Sequence, residues 1–334
     1  MNGYITLDYE LFMGEAGTPE KCLIEPMNHL TNVVDKYGIK MNVFVDAAYL
    51  LRVRELMGDY AQLQKDFDTV TNHVKQLDAE GHAIQLHLHP QWCYSTYDGE
   101  KWHLDFDHYK LSDMPLEEQK QLIHDGVQLL NSFITRKVTA FRAGGYSVEN
   151  FPELYETFFN EGIIVDSSVF PGEKKKGKFQ TFDYRNTPSK SSYRFSYSHK
   201  KEDKNGDMIE YPLSVIIMPS IFYLINKVFG EKSALEPNYP MTIWGDGHSV
   251  GYSKVGKSRF SSLAAKIEKF CGKKAISSHI EDGINVEKVY AQNIKKKDWN
   301  DFVVIGHPKL LSPYSIHLFD IFLEKHSEIE FKLF

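Results

Sequence analysis

The feature that most constrains this chain is a repeated exchange between short β-prone runs and amphipathic helical stretches. Five such runs, at residues 3–12, 41–45, 82–90, 139–142 and 163–166, alternate with helical stretches at 26–37, 47–57, 71–80, 115–133 and 150–161. Met27, Leu30, Val33 and Val34 make a helical stripe, as do Leu122, Ile123, Val127, Leu130 and Phe133, while Gly38, Gly81 and Gly162 stop helices. This order is the signature of a parallel α/β sheet or barrel. Further strands are expected at 207–215, at 241–244 and at 302–308, and further helices at 219–228, 261–271 and 313–325.

The strand ends carry the chemistry. In the first run Asp8 and Glu10 share a face with Thr6, because side chains alternate along a strand. His87 and His89, two apart at the end of the third run, likewise point the same way. Two imidazoles so placed can reach one ion at about 2 Å, and with a carboxylate they form a donor set suited to zinc, iron, cobalt or nickel. Arg142 and Asp166 close the fourth and fifth runs, and His307 closes the last. Polar residues at the C-terminal ends of parallel strands converge on one mouth in an α/β barrel.

Composition excludes several classes. Of 334 residues, 42% are hydrophobic and 25% charged, as in an ordinary globular protein, and the net charge of -6 speaks against nucleic acid as the main partner. Lysines cluster at 174–178, 200–204 and 295–297, each with acids alongside, which reads as solvated loop surface. Cys22, Cys93 and Cys271 are far apart and form no C-x-x-C pair, and no apolar run approaches the ~20 residues of a membrane span. With no signal-peptide pattern at the start, the expected location is cytoplasmic. One domain is expected over 1–334, with loop-rich insertions at about 172–206 and 229–300.

The segments resemble, in order, the motifs of the polysaccharide deacetylase superfamily, the carbohydrate esterases with NodB homology. Thr6-Leu7-Asp8-Tyr9-Glu10 resembles the first motif, His87-Leu88-His89-Pro90 the second and Phe141-Arg142-Ala143-Gly144-Gly145-Tyr146 the third. Asp166-Ser167-Ser168 stands in the place of the fourth, and Ile305-Gly306-His307-Pro308 resembles the fifth. Two departures are plain: Tyr9 replaces the second aspartate of the first motif, and the histidines are two apart where the family usually has four.

The resemblance implies a distorted (β/α)7 barrel that uses a divalent metal, zinc first, to deacetylate an N-acetylated or O-acetylated sugar, such as a surface-polysaccharide precursor. It also implies roles: Glu10, His87 and His89 as metal ligands, Asp8 as general base, Arg142 holding that base, and His307 as the acid oriented by Asp166. Asp8 and Glu10 can exchange roles on this reading. Trp92, Tyr146 and Trp244, with Tyr94, Trp102, Asp246 and His248, are candidates for a sugar-binding rim, against a reading in which the long loops only pack on each other. The alternatives are hydrolysis of another non-peptide C–N bond and a catalytically degenerate barrel that binds glycans.

Overall fold

The structure is a computed structural model that describes residues 1–220, 239–249, 273–296 and 299–334. Seven strands form its frame: β1 (Asn2–Tyr9), β2 (Asn42–Asp46), β3 (Ala83–Leu88), β4 (Ala140–Ala143), β5 (Val165–Asp166), β6 (Met208–Glu210) and β7 (Asp301–Gly306). Each pairs in parallel with its predecessor up to β6, and β7 pairs in parallel with β1. The spatial order therefore follows the chain order, as in the distorted (β/α)7 barrel expected from the sequence.

Helices fill every connection except that from β5 to β6, and one follows β7: α1 (Glu25–Asp35), α2 (Ala47–Leu56), α3 (Ala61–Ala79), α4 (Leu116–Asn131), α5 (Phe151–Asn160), α6 (Asn285–Asn293) and α7 (Pro313–Lys325). Their apolar stripes are buried, with Leu122, Ile123, Val127 and Leu130 of α4 all in the main core. Helix α3 begins ten residues before the expected 71–80. Its early turns are polar overall, yet Leu63, Phe67 and Val70 continue the stripe of Val74 and Leu77 at steps of three and four, which suffices to seat it.

Register sorts the side chains into two layers, because aligned residues of parallel neighbours face the same side. Asp8 lies opposite Phe44, Asp46 opposite His87, and His87 opposite Arg142. These face the barrel interior, while Ile5, Leu7 and Tyr9 face outward into the main core. Tyr9 also hydrogen-bonds its hydroxyl to His73 Nδ1 of α3 at 2.8 Å.

The barrel closes between β6 and β7 by a seam and not by a full ladder. Ser214, just past β6, donates its N–H to the Val303 carbonyl at 3.3 Å, and its Oγ accepts the Val303 N–H at 2.9 Å. Ser278 donates its hydroxyl to the same carbonyl at 2.6 Å and its N–H to the Ser214 carbonyl at 3.1 Å. The Ile305 N–H then donates to Ser278 O and the Ile280 N–H to Ile305 O.

The loops differ from expectation in detail. Residues 172–206 contain a hairpin of Lys174–Lys176 with Thr181–Asp183, and Tyr193–Phe195 pairs antiparallel with β6. No strand forms at 241–244; instead His248–Ser249 pairs antiparallel with Gly14–Glu15. Val215–Pro219 pairs antiparallel with Lys273–Ser277. The helix expected at 261–271, most of that at 219–228, and Cys271 lie outside the described residues. Cys22 and Cys93 are free thiols, and no helix among the described residues is long and apolar enough to cross a membrane.

The seam makes a direct prediction. Ser214→Ala leaves the buried Val303 N–H without its acceptor, so stability should fall by about 1–3 kcal/mol. A urea-unfolding midpoint unchanged from wild type would contradict the seam as described.

Candidate active site

The interior-facing strand ends bring together the residues singled out by sequence. Asp8, Glu10, His87, His89 and Arg142 are all at most 6% exposed. A cavity of about 280 Å³ opens above them, lined among others by Asp8, Glu10, His89, Tyr146, His279, Glu281, His307 and Lys309.

Arg142 fixes Asp8. Its guanidinium donates to Asp8 Oδ1 at 2.7 Å, to Thr6 Oγ1 and Ser167 Oγ at 2.9 Å each, and to the Ser167 carbonyl at 2.9 Å. The same group lies over the Phe44 ring, 4.4 Å from its centroid. Burial pushes the Asp8 carboxyl up, but the Arg142 charge, with His87 and His307, brings it below its ordinary value. Asp8 is therefore a carboxylate with Oδ2 turned toward His307 Nε2, 3.5 Å away.

Glu10 joins the two histidines. Its Oε2 is 3.2 Å from His87 Nε2 and in contact with His89 Nε2, while Oε1 accepts a 2.9 Å bond from Lys309. Lys309 also donates to the Leu11 carbonyl at 2.7 Å. The Gly144 turn backs His89 so closely that a Cβ there would sit 2.5 Å from the Leu88 carbonyl and 2.8 Å from the His89 ring. Asp46 Oδ1 holds the His89 N–H at 3.1 Å.

Glu10, His87 and His89 fit a metal ion. Their ligand atoms lie within 4.8 Å of one another. His87 Nδ1–H donates to the Arg142 carbonyl at 2.8 Å, which in the neutral ring leaves the Nε2 lone pair facing the Glu10 oxygen. Two acceptors so placed require a cation or a proton between them. The field says the same: burial pushes His87 down, but Asp8 and Glu10 outweigh it and raise its pKa to about 9. Glu10 itself is held well below its ordinary range, burial being overcome by Lys309 and His89.

The opposite wall carries His307, whose Nδ1–H donates to Glu281 Oε1 at 2.6 Å. Burial lowers the pKa of His307 and Glu281 more than reverses this. His279 stacks on His307, with ring centroids 5.6 Å apart and planes 3° apart, and is 3.3 Å from the Tyr146 hydroxyl. Tyr146 itself has φ 60°, next to Gly145 at 57°. A bulky residue in that left-handed region is strained, and the strain sits on the cavity wall.

Three expectations need correction. Asp166 does not orient His307; Glu281 does. In register Asp166 lies opposite Phe141 and Glu210, not Arg142. Phe141 packs outward on Phe158 of α5, so Asp166 faces outward as well, accepting from Ser168 Oγ at 2.6 Å with His199 Nδ1 at 3.5 Å. Trp92 is fully buried against Tyr49 and Trp102, and Trp244 stacks on His29, so neither lines the cavity. Tyr94 stacks on His108 and Asp246 accepts from Thr18, so loop packing accounts for them; of the proposed rim, Tyr146 alone lines the cavity. Glu281, His279 and Lys309 were not singled out by sequence. Glu281 and His279 follow a polar stretch with no clear period, although Lys309 stands only two residues past His307.

No protein-family model and no curated protein matches the chain. Among solved structures, it is similar to a putative polysaccharide deacetylase from Mycobacterium smegmatis, at 10% identity and a TM-score of 0.44, over 98% of this chain and 86% of that one. Puue allantoinase matches at 10% identity and a TM-score of 0.47, over 99% and 86%. The Bc1960 peptidoglycan N-acetylglucosamine deacetylase matches at 17% identity and a TM-score of 0.31, over 52% and 61%.

The Asp166 pocket yields a pH prediction. Burial pushes Asp166 up from 3.8 to about 6, and burial with the Asp166 charge raises Glu210 well above its ordinary value. The folded carboxyl binds its proton more tightly than the unfolded one, so this contribution to stability is full below about pH 4 and lost as the pH rises through about 6. Asp166→Asn escapes that loss. Relative to wild type, its stability should rise by about 2–3 kcal/mol between pH 4 and pH 7; urea unfolding giving the same difference at both pH values would contradict this.

Proposed function

We propose that the protein is a metal-dependent hydrolase of the polysaccharide deacetylase superfamily, removing acetyl groups from an N-acetylated or O-acetylated sugar of the kind found in surface-polysaccharide precursors. The observation that carries the reading is the pairing of Asp8, fixed by Arg142, with His307, fixed by Glu281, beside the Glu10, His87 and His89 donor set. The five-motif order and the seven-strand barrel support the same reading.

Glu10, His87 and His89 would hold a divalent cation, zinc first with cobalt, nickel or iron as alternatives, which when bound would supply Lewis acidity and lower the pKa of water. Asp8 takes the proton released as water attacks the acyl carbon, and Arg142 keeps that carboxylate ionised and aimed. His307 gives its Nε2 proton to the departing amine nitrogen, or to the alcohol oxygen of an ester, so that one water is consumed and acetate and the free sugar are released. Glu281 holds the His307 ring by Nδ1 and favours its charged form. With 3.5 Å between Asp8 Oδ2 and His307 Nε2, the two proton-handling groups stand side by side, close enough to serve the entering water and the leaving atom of one acyl group from the same face.

Glu10 suits the ligand role better than Asp8 on two grounds. Its Oε2 is the carboxylate oxygen that meets both imidazoles, and Lys309 neutralises only its other oxygen. Asp8 is occupied by Arg142 on one side and turned to His307 on the other. The Glu10–Lys309 pair also keeps the carboxylate from charging the cavity alone.

Two measurements test the reading. Purified protein should carry about one transition metal per chain by elemental analysis, and acetate release from N-acetylated sugars should vanish on chelation and in His87→Ala. Full activity after complete metal removal would end the metal-dependent reading. Glu281→Gln should keep the metal while slowing acetate release on the order of 100-fold, because the charge that favours protonated His307 is lost; an unaltered rate would remove Glu281 from the support of His307.

A further inference from the structure

Part of the cavity rim is built by two excursions that lock onto each other. Phe106 and Tyr109, from the long segment after β3, meet Phe179, from the hairpin after β5, with ring centroids 5.7 and 5.2 Å apart. Lys178 bonds to Asp107 at 2.7 Å, and Lys110 donates to the Lys178 carbonyl at 3.3 Å, so charged contacts on the rim fasten the aromatic joint. Met13, just beyond β1, packs into the same cluster.

Each half of the clasp is anchored to the reacting centre. Tyr109 stands edge-on to His89, 5.8 Å between ring centroids. Gln180 donates to the Gly145 carbonyl at 3.2 Å, and the Thr181 N–H donates to Ser147 Oγ at 3.1 Å. Walls therefore rise on the His89 side and on the Tyr146 side together. A polymer threading past the reacting centre needs both sides open, since its neighbouring sugars extend in opposite directions from the unit being cut.

The space left is small. At about 280 Å³ it lies at the lower edge of the ~300–1,000 Å³ of small-molecule sites, room for one pyranose ring and its acyl group. We propose that the site takes a single acylated sugar unit, free or at the end of a chain, and excludes internal units of a polymer. This rests on the deacetylase reading and narrows its substrate class.

The experiment uses the metal-loaded full chain with three probes: free N-acetylglucosamine, its β-1,4-linked hexamer, and the corresponding insoluble polymer. Acetate release is quantified, and the position of each free amine in the hexamer is mapped by mass spectrometry. The inference expects deacetylation of the free sugar or of a terminal unit of the hexamer, with internal units at least ten-fold slower and the polymer slower still. In Phe179→Ala, which opens the clasp, the ratio of internal to terminal deacetylation should rise at least ten-fold. Internal units processed by the wild type within two-fold of terminal ones would overturn the inference and leave the deacetylase reading standing. No acetate from any of the three probes would overturn the N-acetylglucosamine deacetylase reading and the inference with it.

Discussion

The guanidinium of Arg142 is the interaction on which the rest depends. One fully buried side chain, reaching from β4, bonds Asp8 and Thr6 of β1, takes both the hydroxyl and the carbonyl of Ser167 after β5, and covers Phe44 of β2. Four strand ends are thus referred to a single rigid plane. A buried ion pair is in general no better for stability than packed hydrocarbon, because desolvation offsets the attraction. What it confers here is position: a planar fork with several fixed donors leaves Asp8 one orientation, and an ammonium on a flexible stem would not.

Around that anchor the charges alternate. Asp8 faces Arg142, Glu10 faces Lys309, and Glu281 faces His307. Each carboxylate has one oxygen committed to a protein cation, and Asp8 directs the other toward His307 Nε2 and Glu10 the other toward His87 and His89. Such pairing lets several acids share a buried space without being forced to take up protons. It also separates tasks, since the oxygen that fixes a group is not the oxygen that acts. His279, laid flat on His307, adds a second aromatic face and restricts how that ring can turn.

Much of this was legible in the sequence, for reasons that can be stated. The β/α alternation follows from apolar periodicity, and the inward set of Asp8, His87 and Arg142 follows from the two-residue period of a strand once the strands are known to be parallel. What failed was parity at β5. Asp166 ends a strand, as the others do, but only two residues of that strand pair, and its register aligns it with outward-facing Phe141. Sequence alone does not reveal which parity a two-residue strand adopts. The tryptophans misled for a different reason: Trp92 and Trp102 follow a strand end, where a binding rim belongs, yet their size makes burial against Tyr49 the stronger outcome. Glu281 and His279 were invisible because nothing periodic marks their segment, which reaches the site along the Ser278 seam with a bridge between His279 and Ile305.

That bridge gives the serine seam a meaning for how such a barrel diversifies. Six of the seven strand-to-strand boundaries are ladders, whose register would have to shift for any residue at their mouths to be exchanged. The seventh is stitched by Ser214 and Ser278, and through it the chain carries His279 and Glu281 to the cavity wall. The seam has no ladder register to keep, so a differently built segment threaded between β6 and β7 would bring another pair of groups beside Asp8, His307 and the Glu10, His87 and His89 set. The partner of His307 is then the most replaceable side chain of the cavity wall, since it can change while the other strands keep their places.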